Sequence, residues 1–221
     1  MKNIVYIGSQ GVLSVIPLRV LLQAGVAIKA IAVLAETRCA IEARPAVIAD
    51  IKVGDEEALS SSESLLDIAD KYQIPVIELA KKLEQSVGAL QSIGTDLILM
   101  SCFSRRLPAE IFELPKFGCF NLHPSVLPAY RGPSPVHWQC AHNVTESGVT
   151  IHQVNAGFDE GDIAIQKKVK MRYCVNKVEL GYKLALLGGE AFVELLQQIE
   201  NNTLELLPQA ESAASYYGFP D

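Results

Sequence analysis

The feature of this sequence that most constrains its fold is an alternation of short apolar runs with segments of helical spacing. Residues 2–7 (KNIVYI) form an apolar run that ends at Gly8, and residues 27–34 (AIKAIAVL) form a second one. Between them, apolar residues recur at helical spacing in SVIPLRVLLQAG, with Pro17 in the first turn and Gly25 placed to end the helix. A strand, a crossover helix and a second strand together predict a parallel α/β sheet.

The same alternation continues along the chain. Further strands are predicted at residues 74–77, 96–102, 119–122, 149–154 and 163–171, and helices at residues 64–72, 81–93, 108–114, 134–142 and 178–199. The last two strands follow each other directly, which indicates a different connection from the earlier crossovers. We therefore predict one Rossmann-like α/β domain over residues 1–221, with a mostly parallel sheet and helices on both faces. Residues 36–62 have weak periodicity, and we interpret them as a mobile or substrate-facing loop.

Charge and cysteine content narrow the classes of function. The formal net charge is -6, from 19 basic and 25 acidic residues. Binding to nucleic acid draws its affinity from lysine and arginine, so this balance disfavours an extensive contact with a phosphate backbone. No run approaches the about 18 apolar residues of a membrane span. The five cysteines are scattered and contain no CxxC pair, so we expect a reduced, cytoplasmic protein.

Candidate catalytic residues follow the ends of the later strands. Ligands of open parallel sheets gather beyond the carboxyl ends of the strands. Three stretches should meet there: SCFSRRLP, NLHPS and NAGFDEGD. They supply Asn121, His123 and Asp159. An amide that donates to an oxyanion, an imidazole that moves a proton and a carboxylate that orients the imidazole suit transfer of an acyl-type carbon.

A structural role is the alternative for two of these residues, since His123 could be a core histidine and Asn121 a turn former. The surrounding stretch FNLHPSVLPAYRGPSPVHW favours a functional role instead. It places four prolines and Gly132 directly behind the two side chains. Such a segment holds its conformation before any ligand arrives, which reduces the entropy lost on binding.

Other candidate motifs are weaker. GSQGVL lacks the GxGxxG spacing of a dinucleotide loop, so a nicotinamide cofactor is not expected. His137, Cys140 and His142 do not share one helical face, and we predict no metal site. Asp162 is interpreted as a turn carboxylate.

The same stretches carry a family resemblance. Residues 117–166 contain GCFNLHPSVLPAYRGPSPVHW and then ESGVTIHQVNAGFDEGDIAIQ. The pattern N-x-H-[GP]-S-x-L-P, followed by G-V-T and D-x-G-D, resembles the folate-dependent formyltransferases, and most closely the catalytic domain of the methionyl-tRNA enzymes. The resemblance implies a formyltransferase fold and 10-formyltetrahydrofolate as the formyl donor, with no metal.

The resemblance also implies roles for individual residues. Asn121, His123 and Asp159 match the catalytic asparagine, histidine and aspartate of the family. Two loops match those that hold the folate donor: Phe103, Ser104, Arg105, Arg106 and Leu107 in the first, and Asn155, Ala156, Gly157 and Phe158 in the second.

The acceptor stays open at this point. The chain shows no counterpart of the C-terminal domain of the tRNA enzymes or of their basic insertion, which disfavours tRNA, as does the net charge of -6. Our first expectation is an N-formyltransferase acting on a primary amine of a small or nucleotide-linked acceptor. The alternatives are a methionyl-tRNA formyltransferase-like activity, a 10-formyltetrahydrofolate hydrolase and a non-catalytic folate-binding protein. A homodimer is a further hypothesis, because so short a domain would bury apolar surface in one.

Overall fold

A computed structural model describes residues 2–35, 63–171 and 176–220. The loop predicted at residues 36–62 lies outside the described residues. Within them the chain forms one seven-stranded sheet with helices on both faces, as the sequence predicts.

The elements follow the predicted order. The strands are β1 (Ile4–Gly8), β2 (Ile28–Leu34), β3 (Val76–Leu79), β4 (Leu97–Ser101), β5 (Cys119–His123), β6 (Glu146–Gln153) and β7 (Ile163–Lys170). The helices are α1 (Val12–Gln23), α2 (Leu65–Lys71), α3 (Val87–Ser92), α4 (Ala109–Phe112), α5 (Pro135–Ala141) and α6 (Lys177–Asn201), with 3₁₀ turns at Leu83–Ser86 and Glu211–Ala213.

Among the boundaries that differ from the prediction, two have a clear local reason. The predicted helix over residues 81–93 is a 3₁₀ turn followed by the short α3, and the backbone N–H of Ala80 donates to the Ser86 hydroxyl at 2.8 Å. The strand predicted from Ile74 starts two residues later, because the Ile74 N–H still bonds to the Ala69 carbonyl at the end of α2. In the first case a side-chain hydrogen bond accompanies the change, and in the second a hydrogen bond at the end of α2 takes the place of strand pairing.

The strand order is β3-β2-β1-β4-β5-β6-β7. The first five strands are parallel, whereas β6 pairs antiparallel with β5 and with β7. This change of direction confirms that the last two strands are connected differently. It also places His152 of β6 opposite Asn121 of β5, at the carboxyl end of the parallel strands.

Two apolar layers hold the sheet. Tyr6 of β1 faces a core completed by Leu18 of α1 and Phe192 of α6. Its neighbour Ile7 points to the opposite face, where Leu90 of α3 packs. Because successive side chains of a strand alternate between faces, continuously apolar strands require helices on both sides of the sheet. Among the described residues, no helix combines the length and apolar character needed to cross a membrane.

Candidate active site

The structure brings the three predicted catalytic side chains together at one edge of the sheet. Asn121 and His123 lie two residues apart on β5, so both project from the same face of the strand. Asp159 reaches them from the loop between β6 and β7, where its backbone is left-handed with φ of 56°. Its Oδ1 lies 3.4 Å from His123 Nδ1. An amide, an imidazole and a carboxylate therefore share one site, as predicted.

A fourth polar residue, His152, joins this group from β6. Its Nδ1–H donates to the Gln153 carbonyl at 3.0 Å, so its Nε2 accepts from the Asn121 amide at 3.0 Å. The same nitrogen lies 3.5 Å from Asp159 Oδ1. This arrangement fixes the orientation of the Asn121 amide and leaves its second N–H for another acceptor.

His152 is not among the residues predicted from the sequence. The available signal was an ionisable residue inside the apolar strand VTIHQV, which is an uncommon place for one. That signal has no functional meaning until the antiparallel register places the residue opposite Asn121.

Residues 124–135, here called the proline-rich segment, follow β5 and supply two backbone contacts to the site. His123 Nε2–H donates to the Tyr130 carbonyl at 2.7 Å, and the Gly132 N–H donates to Asp159 Oδ2 at 2.9 Å. Gly132 has φ of 110°, and a Cβ at this position would collide with the Tyr217 carbonyl. A glycine is therefore required here by both backbone conformation and packing.

These contacts define the proton-accepting atom of His123. Because Nε2 is occupied by the Tyr130 carbonyl, Nδ1 is the nitrogen that can gain or lose a proton, and it faces Asp159. A proton taken up at Nδ1 would be stabilised by the adjacent carboxylate. This geometry would allow His123 to act as a general base with Asp159 as its orienting carboxylate.

Burial and the neighbouring groups together set the ionisation of the pair. Burial lowers the pKa of His123 below the usual value, against the opposing effects of the Asp159 carboxylate and the Tyr130 carbonyl. Burial alone would raise the pKa of Asp159, but His123, His152 and the Gly132 N–H together hold that pKa below its usual range. At neutral pH the site therefore contains a neutral imidazole beside an ionised carboxylate, which is the state that a general base requires.

We expect the His123 ring to titrate at a lower pH than an ordinary histidine, because burial lowers its pKa. In Asp159→Asn the midpoint should fall further, because the carboxylate charge that favours the imidazolium is lost. NMR titration of the histidine ring protons measures both midpoints. Asp162→Asn, in the same loop, is the control and should leave the His123 midpoint unchanged. A midpoint that does not respond to Asp159→Asn would contradict the pairing.

A cavity of about 460 Å³ opens over this group. Its wall includes Asn121, His123 and Asp159, together with residues of the proline-rich segment. Tyr216 and Phe219, near the end of the described chain, also line it. The cavity combines apolar walls with a few converging polar groups, as small-molecule sites usually do.

The residues expected to hold the folate donor divide into three sets. Phe103, Ser104 and Phe158 line the cavity of about 460 Å³, whose wall also includes Asn121, His123 and Asp159. Arg105, Arg106, Leu107 and Ala156 line a neighbouring cavity of about 450 Å³. Asn155 and Gly157 form a turn in which the Gly157 N–H donates to Asn155 Oδ1 at 2.9 Å.

The two predicted donor loops touch each other at their tips. The Arg106 guanidinium lies over the Phe158 ring, 5.4 Å from its centroid. The pair stands between the two cavities. Within residues 2–35, 63–171 and 176–220, no group of three or more His, Cys, Asp or Glu side chains is arranged to hold a metal ion.

Comparison with known proteins agrees with this architecture. Residues 52–196 match the family model described as Formyl transferase. The methionyl-tRNA formyltransferase of Ehrlichia ruminantium (strain Gardel) is 39% identical over 136 residues, which cover 62% of this chain and 44% of that protein. The chain thus matches less than half the length of this curated relative.

Solved structures give the same result. An N-formyltransferase from Helicobacter canadensis, in complex with folinic acid and dTDP-3-aminofucose, has a TM-score of 0.69 and 25% identity, covering 99% of this chain and 71% of that chain. Glycinamide ribonucleotide transformylase 1 from Symbiobacterium toebii shares the fold, with a TM-score of 0.70, 17% identity and 94% coverage of both chains. The α/β fold of this chain is thus shared with formyl-transferring enzymes. The chain belongs to the formyl transferase family.

Proposed function

We propose that this protein transfers a formyl group from 10-formyltetrahydrofolate to a primary amine. The observation that carries the proposal is the grouping of Asn121, His123 and Asp159 on the wall of one cavity. The three side chains supply an oxyanion donor, a proton acceptor and a carboxylate at the same place. Formyl transfer to an amine needs all three functions.

The cavity wall supports a folate donor. Phe103 and Phe158 offer apolar surface for a flat pterin ring, and Ser104 offers polar atoms at its edge. Arg105 and Arg106, around the neighbouring cavity, bring positive charge that suits the glutamate carboxylates of a folate. The Helicobacter canadensis relative was solved with folinic acid, a reduced folate.

In the proposed reaction, the neutral acceptor amine attacks the formyl carbon on N10 of the donor. The Asn121 N–H that is not bonded to His152 donates to the developing oxyanion, a contact worth about 3 kcal/mol of barrier in comparable sites. His123 Nδ1 accepts the proton from the attacking nitrogen, and Asp159 stabilises the imidazolium. When the bond between carbon and N10 breaks, the same proton passes to N10. The products are the N-formyl amine and tetrahydrofolate.

The comparisons change our expectation about the acceptor. The curated relatives are methionyl-tRNA formyltransferases, so they favour the tRNA alternative over the small or nucleotide-linked amine that we expected first. The Helicobacter canadensis relative, which covers 99% of this chain, was solved with an amino-sugar nucleotide. We propose methionyl-tRNA as the first acceptor to test and an amino-sugar nucleotide as the second.

The test follows conversion of 10-formyltetrahydrofolate to tetrahydrofolate by absorbance, with methionyl initiator tRNA, with dTDP-amino sugars and without acceptor. We expect conversion that depends on one acceptor and yields its N-formyl product by mass spectrometry. Conversion at the same rate without any acceptor would replace the proposal by a hydrolase. Donor binding in calorimetry without turnover on any acceptor would replace it by a folate-binding protein.

A further inference from the structure

The chain returns to the active site after its last helix. Residues 209–217, here called the return segment, pair with the proline-rich segment through backbone hydrogen bonds. The Ser215 N–H donates to the Pro128 carbonyl at 3.1 Å, the Arg131 N–H to the Ser215 carbonyl at 2.9 Å, and the Tyr217 N–H to the Arg131 carbonyl at 3.0 Å. The return segment is therefore fixed to the backbone that contacts His123 and Asp159.

Gln209, at the start of the return segment, uses both ends of its side-chain amide. Its Nε2 donates to the carbonyls of Asp159 and Gly161, each at 2.7 Å. Its Oε1 accepts from Arg131 Nε at 3.1 Å and from Arg131 Nη2 at 2.8 Å. All the hydrogen-bonding capacity of the primary amide is used to join the loop between β6 and β7 to the proline-rich segment.

The loop between β6 and β7 carries Asp159, and the proline-rich segment contacts the His123 side chain. Tyr130 and Gly132, on either side of Arg131, bond to His123 Nε2 and to Asp159 Oδ2. Asp159 itself has a left-handed backbone, a conformation that costs a non-glycine residue free energy and needs support from its surroundings. Gln209 gives that support at the Asp159 carbonyl.

Arg131 is the second member of this connection. It is 6% exposed, and its guanidinium also donates to the Glu211 carboxylate, with Nη2 at 2.6 Å and Nη1 at 3.1 Å. A planar guanidinium with several bonds keeps a fixed orientation better than a single contact does. Gln209 therefore binds to a rigid partner.

We propose that Gln209 is a positioning residue for formyl transfer, which sets the separation of the Asp159 carboxylate and the His123 imidazole by joining their two loops. This inference rests on the proposed catalytic roles of Asp159 and His123. Gln209 does not touch the reacting atoms. Its effect reaches them through the Asp159 backbone on one side and through Arg131 on the other.

Two substitutions separate positioning from general support of the return segment. Gln209→Leu removes every hydrogen bond of the amide. Gln209→Glu keeps an acceptor for Arg131 but loses the two donated bonds to Asp159 and Gly161. Gln198→Leu is the matched control, because the side-chain Nε2 of this half-buried glutamine makes a long contact of 3.5 Å to Glu194 Oε1 within the same helix, α6.

We expect both Gln209 variants to lower kcat by about 10- to 100-fold, since a misplacement of 1 Å can cost about 100-fold in rate. KM for the acceptor should change little. The lost hydrogen bonds also lower the melting temperature, so kcat is compared at a temperature at which each variant is folded. Gln198→Leu should match the wild type. The rate is measured with the acceptor identified by the conversion assay. Wild-type kcat in Gln209→Glu would overturn the proposal, because the donated bonds would then have no effect on the reaction.

A double-variant cycle tests whether Gln209 acts through Asp159. Gln209→Leu should lower kcat strongly in the wild type and very little in Asp159→Asn, because the group that it positions has already been removed. Equal losses in both backgrounds would show that Gln209 supports the structure independently of Asp159 and would overturn the proposal.

An NMR comparison gives a readout that needs no turnover. The chain has four histidines, so their ring resonances can be assigned individually. Gln209→Leu should move the resonances of His123 and His152, which face Asp159, and leave that of His137 in place. If all the resonances stay unchanged, the positioning proposal is wrong. If they move as expected but wild-type protein converts no donor with any acceptor, the positioning stands and the proposed function fails.

Discussion

Asparagine in place of Asp159 is expected to lower kcat for formyl transfer by about 10²- to 10⁴-fold, because proton transfer by His123 usually contributes that much and depends on the Asp159 carboxylate. The side chain keeps its size, and its oxygen can still accept from the Gly132 N–H. The negative charge beside His123 Nδ1 is lost, so an imidazolium formed during the reaction is no longer stabilised. Steady-state kinetics with the identified acceptor measures the loss, and wild-type turnover would contradict the catalytic assignment.

Asp162→Asn is the matched control for this variant, since it makes the same chemical change three residues away in the same loop. The thermal stability of Asp159→Asn adds a second check. Because the folded state holds the pKa of Asp159 below its usual range, the carboxylate stabilises the fold above the pKa of the unfolded chain. The difference in unfolding free energy between wild type and variant should therefore be largest at neutral pH and shrink as the pH falls below about 4.

Alanine in place of His123 is expected to lower kcat by about 10²- to 10⁴-fold. His152 Nε2 also lies near Asp159 but accepts from the Asn121 amide, so it does not replace His123 Nδ1 as proton acceptor. The imidazole is 4% exposed, so its removal also leaves the Tyr130 carbonyl without its hydrogen bond. That loss should cost about 1–3 kcal/mol of unfolding free energy, which leaves the protein folded. Kinetics and thermal unfolding of the same preparation measure both effects.

The two effects distinguish a catalytic histidine from a core histidine. His142→Ala is the control, since His142 is exposed and lies beside Tyr130 rather than Asp159. We expect it to keep wild-type kcat. A large fall in melting temperature for His123→Ala, with unchanged specific activity of the folded fraction, would assign His123 to the core.

Much of the fold could be predicted because its causes are local. Apolar runs such as LILMS and the helical spacing around Leu18 follow from burial on both faces of a parallel sheet. Proline at the start of α5 fixes its own φ, and Gly132 permits the positive φ that the chain adopts there. The boundaries shifted where a hydrogen bond from another element replaced the local preference, as at Ile74.

The residues of the candidate site also divide into those that could be identified from the sequence and those that could not. Asn121 and His123 could be identified from sequence because they end an apolar strand and precede a stiff proline-rich segment, and Asp159 because it belongs to a recognisable motif. His152 could not be identified, since its role depends on the register between β5 and β6 across 31 residues. The role of Gln209 could not be predicted for the same reason, because Gln209 lies 50 residues from Asp159 and 78 from Arg131 along the chain.

The sequence by itself therefore determined the kinds of chemical group and the sheet edge where they meet, because strand ends and stiff turns are set by near neighbours in the chain. Only the tertiary structure decided which nitrogen of His123 faces Asp159, what holds the Asn121 amide, and that the return segment joins the two catalytic loops. Those contacts are hydrogen bonds between distant residues, and their partners exist only after the strands have taken their register and the chain has returned to the site.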